Sequence, residues 1–134
     1  MLSGQCLCGG VRFEITEPLV SASYCHCTRC QRRTGTAAAA SARIAPGSVR
    51  FLAGSELIRE WRPPDDGHVK AFCDECGSAL YSRHPSDPSV MAVRLGVIDG
   101  DPGIRPSLRH HVATAAVWEP IPDDGLPRHP GQPS

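Results

Sequence analysis

Three of the seven cysteines fall in the run Cys25-His26-Cys27-Thr28-Arg29-Cys30, where a C-x-C overlaps a C-x-x-C. If the backbone is extended through Cys25–Cys27, side chains alternate, so both sulfurs face one way and His26 the other. A tight turn from Cys27 to Cys30 then brings the third sulfur alongside. Converging thiolates repel one another when bare but suit Zn²⁺, a borderline-soft ion that prefers tetrahedral sulfur and nitrogen ligands. Three protein ligands leave a fourth position open, which is the pattern of a catalytic zinc. Cys25, Cys27 and Cys30 are therefore the candidate catalytic residues.

The other four cysteines come in two pairs. Cys6 and Cys8 form a C-x-C ahead of Gly9-Gly10, and Cys73 and Cys76 form a C-x-x-C followed by Gly77. In such a knuckle, backbone N–H groups point at the sulfurs and the glycine permits φ > 0. Each pair has too few ligands alone. Together, Cys6, Cys8, Cys73 and Cys76 make a closed four-sulfur site, so the partition into four and three uses every cysteine. His26 or His111 could instead complete the second site and make it structural as well. Strand alternation turns the His26 ring away, and His111 stays open. A redox reading treats Cys27-Thr28-Arg29-Cys30 as a thioredoxin-like dithiol, which requires a βαβ unit with a long amphipathic helix after the motif. No such helix is expected here.

Arg29, Arg32 and Arg33 lie beside the three-sulfur run. They are either a solvated basic loop or a binding surface for the substrate. The second reading has an electrostatic reason: a zinc with three thiolates carries net charge −1, and arginine forks recognise carboxylates bidentately.

The elements that must position these residues read as short strands. Val11–Thr16 alternates strictly, with Val11, Phe13 and Ile15 on one face. Further strands are expected over Val20–Cys27, Thr36–Ile44, Val49–Leu52, Glu56–Trp61, Val69–Phe72, Ala79–Arg83, Val90–Leu95 and Leu108–Val112. Gly and Pro number 13 each and only seven residues are aromatic. This composition predicts many turns and a modest core, in which metal crosslinks are valuable. A structural zinc can contribute on the order of 10–16 kcal/mol of apparent binding free energy to folding. A chain of 134 residues fits one domain. We place it at residues 1–128, with 129–134 expected to form a disordered tail.

The formal net charge is zero, which argues against nucleic acid and membrane surfaces as partners. No basic and apolar leader opens the chain, and no run is apolar enough to span a bilayer. A cytoplasmic location is expected, where clustered cysteines read as metal or redox sites.

The three cysteine motifs and their flanks resemble the glutathione-dependent formaldehyde-activating enzyme family. They are Gly4-x-Cys6-x-Cys8-Gly9-x-Val11-x-Phe13-Glu14, Cys25-His26-Cys27-x-x-Cys30-x-Arg32-Arg33-x-Gly35, and Phe72-Cys73-x-x-Cys76-Gly77-Ser78-x-Leu80-Tyr81. Trp118 and Asp124-Gly125-Leu126-Pro127 are similar to the family's closing pattern. The resemblance implies an all-β "tent" fold of short antiparallel strands around a structural zinc on Cys6, Cys8, Cys73 and Cys76. It also implies a more labile zinc on Cys25, Cys27 and Cys30, near the place where glutathione binds. The activity it implies is that of a carbon–sulfur lyase making or breaking an adduct between a thiol and formaldehyde or another small aldehyde. A non-catalytic, zinc-dependent thiol- or peptide-binding module is the competing reading.

Overall fold

The computed structural model describes residues 1–132. Among these residues, ten short strands form two sheets. The smaller sheet contains β1 (Leu2–Gln5), β2 (Arg12–Ile15) and β5 (Val49–Ala53) in the order β1-β2-β5. The larger contains β3 (Ser21–Cys25), β4 (Ala39–Arg43), β6 (Ile58–Trp61), β7 (Val69–Cys73), β8 (Ala79–Arg83), β9 (Met91–Arg94) and β10 (Arg109–His110). Its order is β10-β3-β4-β9-β8-β7-β6. The protein is mainly β, and among the described residues its strands pair antiparallel except that β10 runs parallel to β3.

The core forms where the two sheets face each other. Phe13 and Ile15 project from β2 between exposed or half-exposed neighbours, and with Val11 just before the strand they make the apolar face that alternation predicts. They pack with Leu80, Tyr81, Val93 and Ile98 in one buried cluster. Phe13 meets its neighbour Phe51 edge-on within the smaller sheet at 6.2 Å between centroids, and Phe51 reaches Tyr81 of the larger sheet at 6.0 Å. β5 and β6, adjacent in the chain, belong to different sheets. Gly54 makes the crossing, with φ of 76° and so little room that a Cβ would stand 2.0 Å from the Gly10 carbonyl oxygen.

The expected turn and basic loop after Cys27 are instead a helix, α1 (Thr28–Thr34). Its ends explain it. Cys27 is the N-cap, its sulfur accepting the Cys30 N–H, and Gly35 closes the helix in the left-handed conformation with its N–H on the Gln31 carbonyl. Two turns are too few for a helical period to stand out in sequence. α1 lies against β4, whose alanines allow close approach.

Residues 127–131, which include the start of the expected tail, make backbone hydrogen bonds to the β10 segment. The Arg109 N–H donates to Pro127 O, His129 N–H to Arg109 O, and His111 N–H to Gly131 O, which lays this segment along β10. Residues 133–134 of that expected tail lie outside the described residues. Among the described residues, no helix is long and apolar enough to cross a membrane.

Candidate metal centres and the basic pocket

The first sulfur group is assembled from distant parts of the chain. Cys6 and Cys8 follow β1, Cys73 ends β7, and Cys76 sits in the turn before β8. All four sulfurs lie within 4.8 Å of one another, with Cys6–Cys8 at 3.5 Å and Cys8–Cys73 at 3.9 Å. Backbone donors point at them, the Val11 N–H to Cys6 at 3.3 Å and the Gly10 N–H to Cys8 at 3.4 Å. The Ser78 hydroxyl lies 3.2 Å from Cys76 and, with the Ser78 N–H, brings the Cys76 thiol down to about 5. The same hydroxyl oxygen accepts the Leu7 N–H, tying the two loops together. Gly77 has the positive φ that its knuckle requires. Four sulfurs with N–H and O–H donors aimed at them fit a tetrahedral thiophilic ion such as zinc.

The second group is local. Cys25 ends β3, Cys27 caps α1 and Cys30 lies buried in its first turn, and their sulfurs also fall within 4.8 Å of one another. Hydrogen bonds from the Cys25 and Cys30 thiols hold Cys27 far below the ordinary thiol range, and the reciprocal interaction pushes Cys25 up. One sulfur thus gathers negative charge while its neighbours keep their protons. That donor set fits a soft cation, which would displace those protons. Cys25 and Cys27 are half-buried, so the group is partly open to solvent.

The C-x-x-C does sit at a helix N-terminus, as the redox reading needs. The strands flanking that helix, β3 and β4, are nevertheless antiparallel, so this is not a βαβ unit. His26 is buried and faces away from the sulfurs. Its Nε2 accepts from Arg109 Nη1 at 3.2 Å, and burial lowers its basicity. Arg109 is in turn held by Asp124 at 2.8 Å and stacked 4.3 Å above the Tyr24 ring. His111 is brought to the rim of the second group together with His110. One ring nitrogen of each lies within 4.8 Å of Cys25 Sγ and of the other.

The three arginines have separate roles. Arg29 forks the Asp65 carboxylate, with Nη1 donating to Oδ1 at 3.0 Å, and so anchors the Pro63-Pro64-Asp65-Asp66 loop. Arg33 donates to the Ala71 carbonyl at 2.6 Å and lies 5.1 Å over the Phe72 ring, pinning α1 to β7. Arg32 is exposed and makes no ion pair among the described residues.

All three line a pocket of about 420 Å³ together with Trp61 and Lys70. Trp61 and Lys70 face each other in the β6–β7 register. Burial lowers the basicity of Lys70, and negative charge on the sulfurs of Cys30, Cys27 and Cys25 acts in the opposite direction. Lys70, Trp61 and His110 were not anticipated. A signal existed for Lys70: it alternates with buried Val69 and Ala71 and so must face the other side of β7. His110 depends on a parallel pairing between segments some eighty residues apart, which no local pattern reports.

The family model described as glutathione-dependent formaldehyde-activating enzyme matches residues 1–114. A protein of Halomonas elongata named "Putative glutathione-dependent formaldehyde-activating enzyme" is 28% identical over 106 residues, covering 75% of this chain and 68% of that protein. A crystal structure of a Rhodobacter sphaeroides protein superposes with a TM-score of 0.60 at 26% identity, over 74% of this chain and 89% of that one. With a match running through all three cysteine motifs, the chain belongs to the glutathione-dependent formaldehyde-activating enzyme family.

Proposed function

We propose that the protein makes or breaks the adduct between a glutathione-like thiol and formaldehyde or another small aldehyde, as a carbon–sulfur lyase. The observation that carries this reading is the three-sulfur group standing beside a cationic pocket with an aromatic wall. In the forward direction the thiol sulfur adds to the carbonyl carbon, and the thiol proton ends on the aldehyde oxygen. Cys25, Cys27 and Cys30 would hold zinc, which supplies stabilisation of a substrate thiol as its thiolate at neutral pH.

The chain's own residues supply orientation. Arg32 and Lys70 bind substrate carboxylates, and Trp61 covers the apolar part of the thiol. Arg33 holds α1, and with it Cys30, at a fixed distance from β7. Cys6, Cys8, Cys73 and Cys76 hold a second, structural zinc. Seven free thiols suit a reducing compartment, and we place the reaction in the cytoplasm. The test is exchange spectroscopy of glutathione and formaldehyde with catalytic amounts of protein. Saturable acceleration that disappears in Cys30→Ser supports the enzyme; saturable thiol binding with no acceleration makes the protein a binding module.

A further inference from the structure

We propose that Cys25, His110 and His111 form a second set of metal ligands that shares the Cys25 sulfur with the cysteine triad, so that the chain can hold a zinc-class divalent cation by either set. The inference rests on the triad being a metal site and not on its being catalytic.

The ligand atoms of these three residues lie within 4.8 Å of one another. The backbone accounts for the convergence. In the parallel β10–β3 pairing His110 stands opposite Cys25, so the two side chains share a face of the sheet. Ser23, two residues before Cys25, is on that face too, and its hydroxyl lies 3.3 Å from His110 Nε2. In a continuing strand His111 would point to the opposite face. It instead adopts φ of 58°, a left-handed conformation uncommon for a residue with a Cβ, and its ring comes to lie 5.2 Å from that of His110. This conformation is held from outside: the His111 N–H donates to Gly131 O, Val112 N–H to His129 O, and Ala113 N–H to Pro130 O. Thr114 and Gln31 both bond the His26 carbonyl, which fastens the same turn to α1.

The remaining nitrogens complete the picture. His110 Nδ1 is buried and has no hydrogen-bond partner. A buried imidazole nitrogen without a partner is costly unless something binds it. The Nε2 atoms are both occupied, His110 by Ser23 and His111 by the Gln132 Oε1 at 3.3 Å. Ligating histidines usually have one ring nitrogen on a fixed oxygen, which leaves the other for the metal. The two sets differ in charge. Zinc on three thiolates carries net −1, whereas zinc on Cys25 and two neutral imidazoles carries net +1 and is the stronger Lewis acid.

The experiment uses the full chain loaded with cobalt(II), whose sulfur-to-metal charge-transfer bands report how many thiolates bind. Metal stoichiometry is read by native mass spectrometry and the fold by circular dichroism. The wild type should hold two ions. The Cys27→Ser/Cys30→Ala variant should still hold two, with the second ion's charge-transfer band reduced. Adding His110→Ala and His111→Ala should leave one. A folded Cys27→Ser/Cys30→Ala variant that holds a single cobalt overturns the shared-ligand inference alone; a wild type with one ion overturns the triad as a metal site as well. If that variant does not fold, His110→Ala/His111→Ala in the otherwise native chain decides. We expect at least about tenfold weaker retention of the second ion against a chelator. Unchanged retention together with an unchanged cobalt spectrum overturns the proposal.

Discussion

The two sulfur groups use the same ligand chemistry on opposite kinds of scaffold. Cys6, Cys8, Cys73 and Cys76 join two turns, and the contact from Cys8 to Cys73 spans 65 residues. Cys25, Cys27 and Cys30 come from one strand end and the first turn of α1. Chain entropy makes the difference consequential. Treated as a crosslink, a 65-residue closure restricts the unfolded chain by about 4 kcal/mol and a five-residue closure by about 2 kcal/mol. The first group also contributes fully buried Cys73 to the apolar core, with Cys6 beside it. Metal at the long-range group should therefore support the fold, and metal at the local group should be free to serve another purpose.

The largest effect that would break this comparison is at the first group. Cys73→Ser or Cys6→Ser should nearly abolish soluble yield and lower Tm severely, because folding is linked to a metal affinity on the order of 10 kcal/mol. An unchanged melting temperature in either variant would refute the structural assignment.

The next effect sharpens the contrast. A saturated four-sulfur site yields metal only after a protein bond breaks, whereas a site with three protein sulfurs admits a competitor first. Mild chelation should remove one of two zincs, with the far-ultraviolet spectrum kept and adduct exchange lost. Cys30→Ser should likewise lose adduct exchange, with the second ion held only through Cys25, His110 and His111 and removed more readily, and with a Tm lowered only by the small cost expected of a short closure. Loss of both metals together with unfolding would make the two groups equivalent.

A smaller effect belongs to the pocket. Arg32→Ala or Lys70→Ala should weaken glutathione binding about tenfold, in line with the loss of one charge-assisted hydrogen bond, while a neutral thiol changes little. Raising the salt concentration should narrow the gap. Arg33→Ala is a poorer probe, since it also releases the Ala71 carbonyl and leaves α1 less well held. Equal losses for charged and neutral thiols would return the arginines to a solvated surface.

How much of this was legible beforehand follows from the range of each interaction. The strict alternation of β2, the short strand over Val69–Phe72 and the glycine of the Cys73–Cys76 knuckle are local signals, and the structure has them as expected. The grouping of sulfurs into four and three could also be reached from spacing, because ligand number constrains partners even when topology is unknown. α1 could not, since its seven residues are defined by a cysteine cap and Gly35 rather than by periodicity. The order of the larger sheet, the placement of His110 beside Cys25, and the return of residues 127–131 along β10 depend on pairings between distant segments. Those pairings leave no pattern in any short window.

The smallest expected effect concerns Asp65, and it separates pocket electrostatics from fold. Its carboxylate neutralises the pocket-lining Arg29 through a fork whose members are both largely exposed, with side-chain accessibilities of 40% for Arg29 and 58% for Asp65. Exposed pairs of this kind contribute little to stability, so Asp65→Asn should leave the melting curve almost unchanged. It should, however, free the Arg29 guanidinium and remove one negative charge, tightening glutathione binding about two- to fivefold at low salt and much less at high salt. The neutral thiol should be unaffected. The Arg29 hydrogen bonds lower the Asp65 pKa below its ordinary carboxylate value. A group with a depressed folded pKa is ionised above its unfolded value, and its contribution is lost only as pH falls through the folded one. Between pH 6 and 8 the carboxylate therefore stays charged, and the wild-type preference for glutathione over the neutral thiol should show no Asp65-dependent step in that window. A preference that changes with pH in the wild type but not in Asp65→Asn would mean that Asp65 titrates near neutrality, and the fork would then not be the contact that holds Arg29.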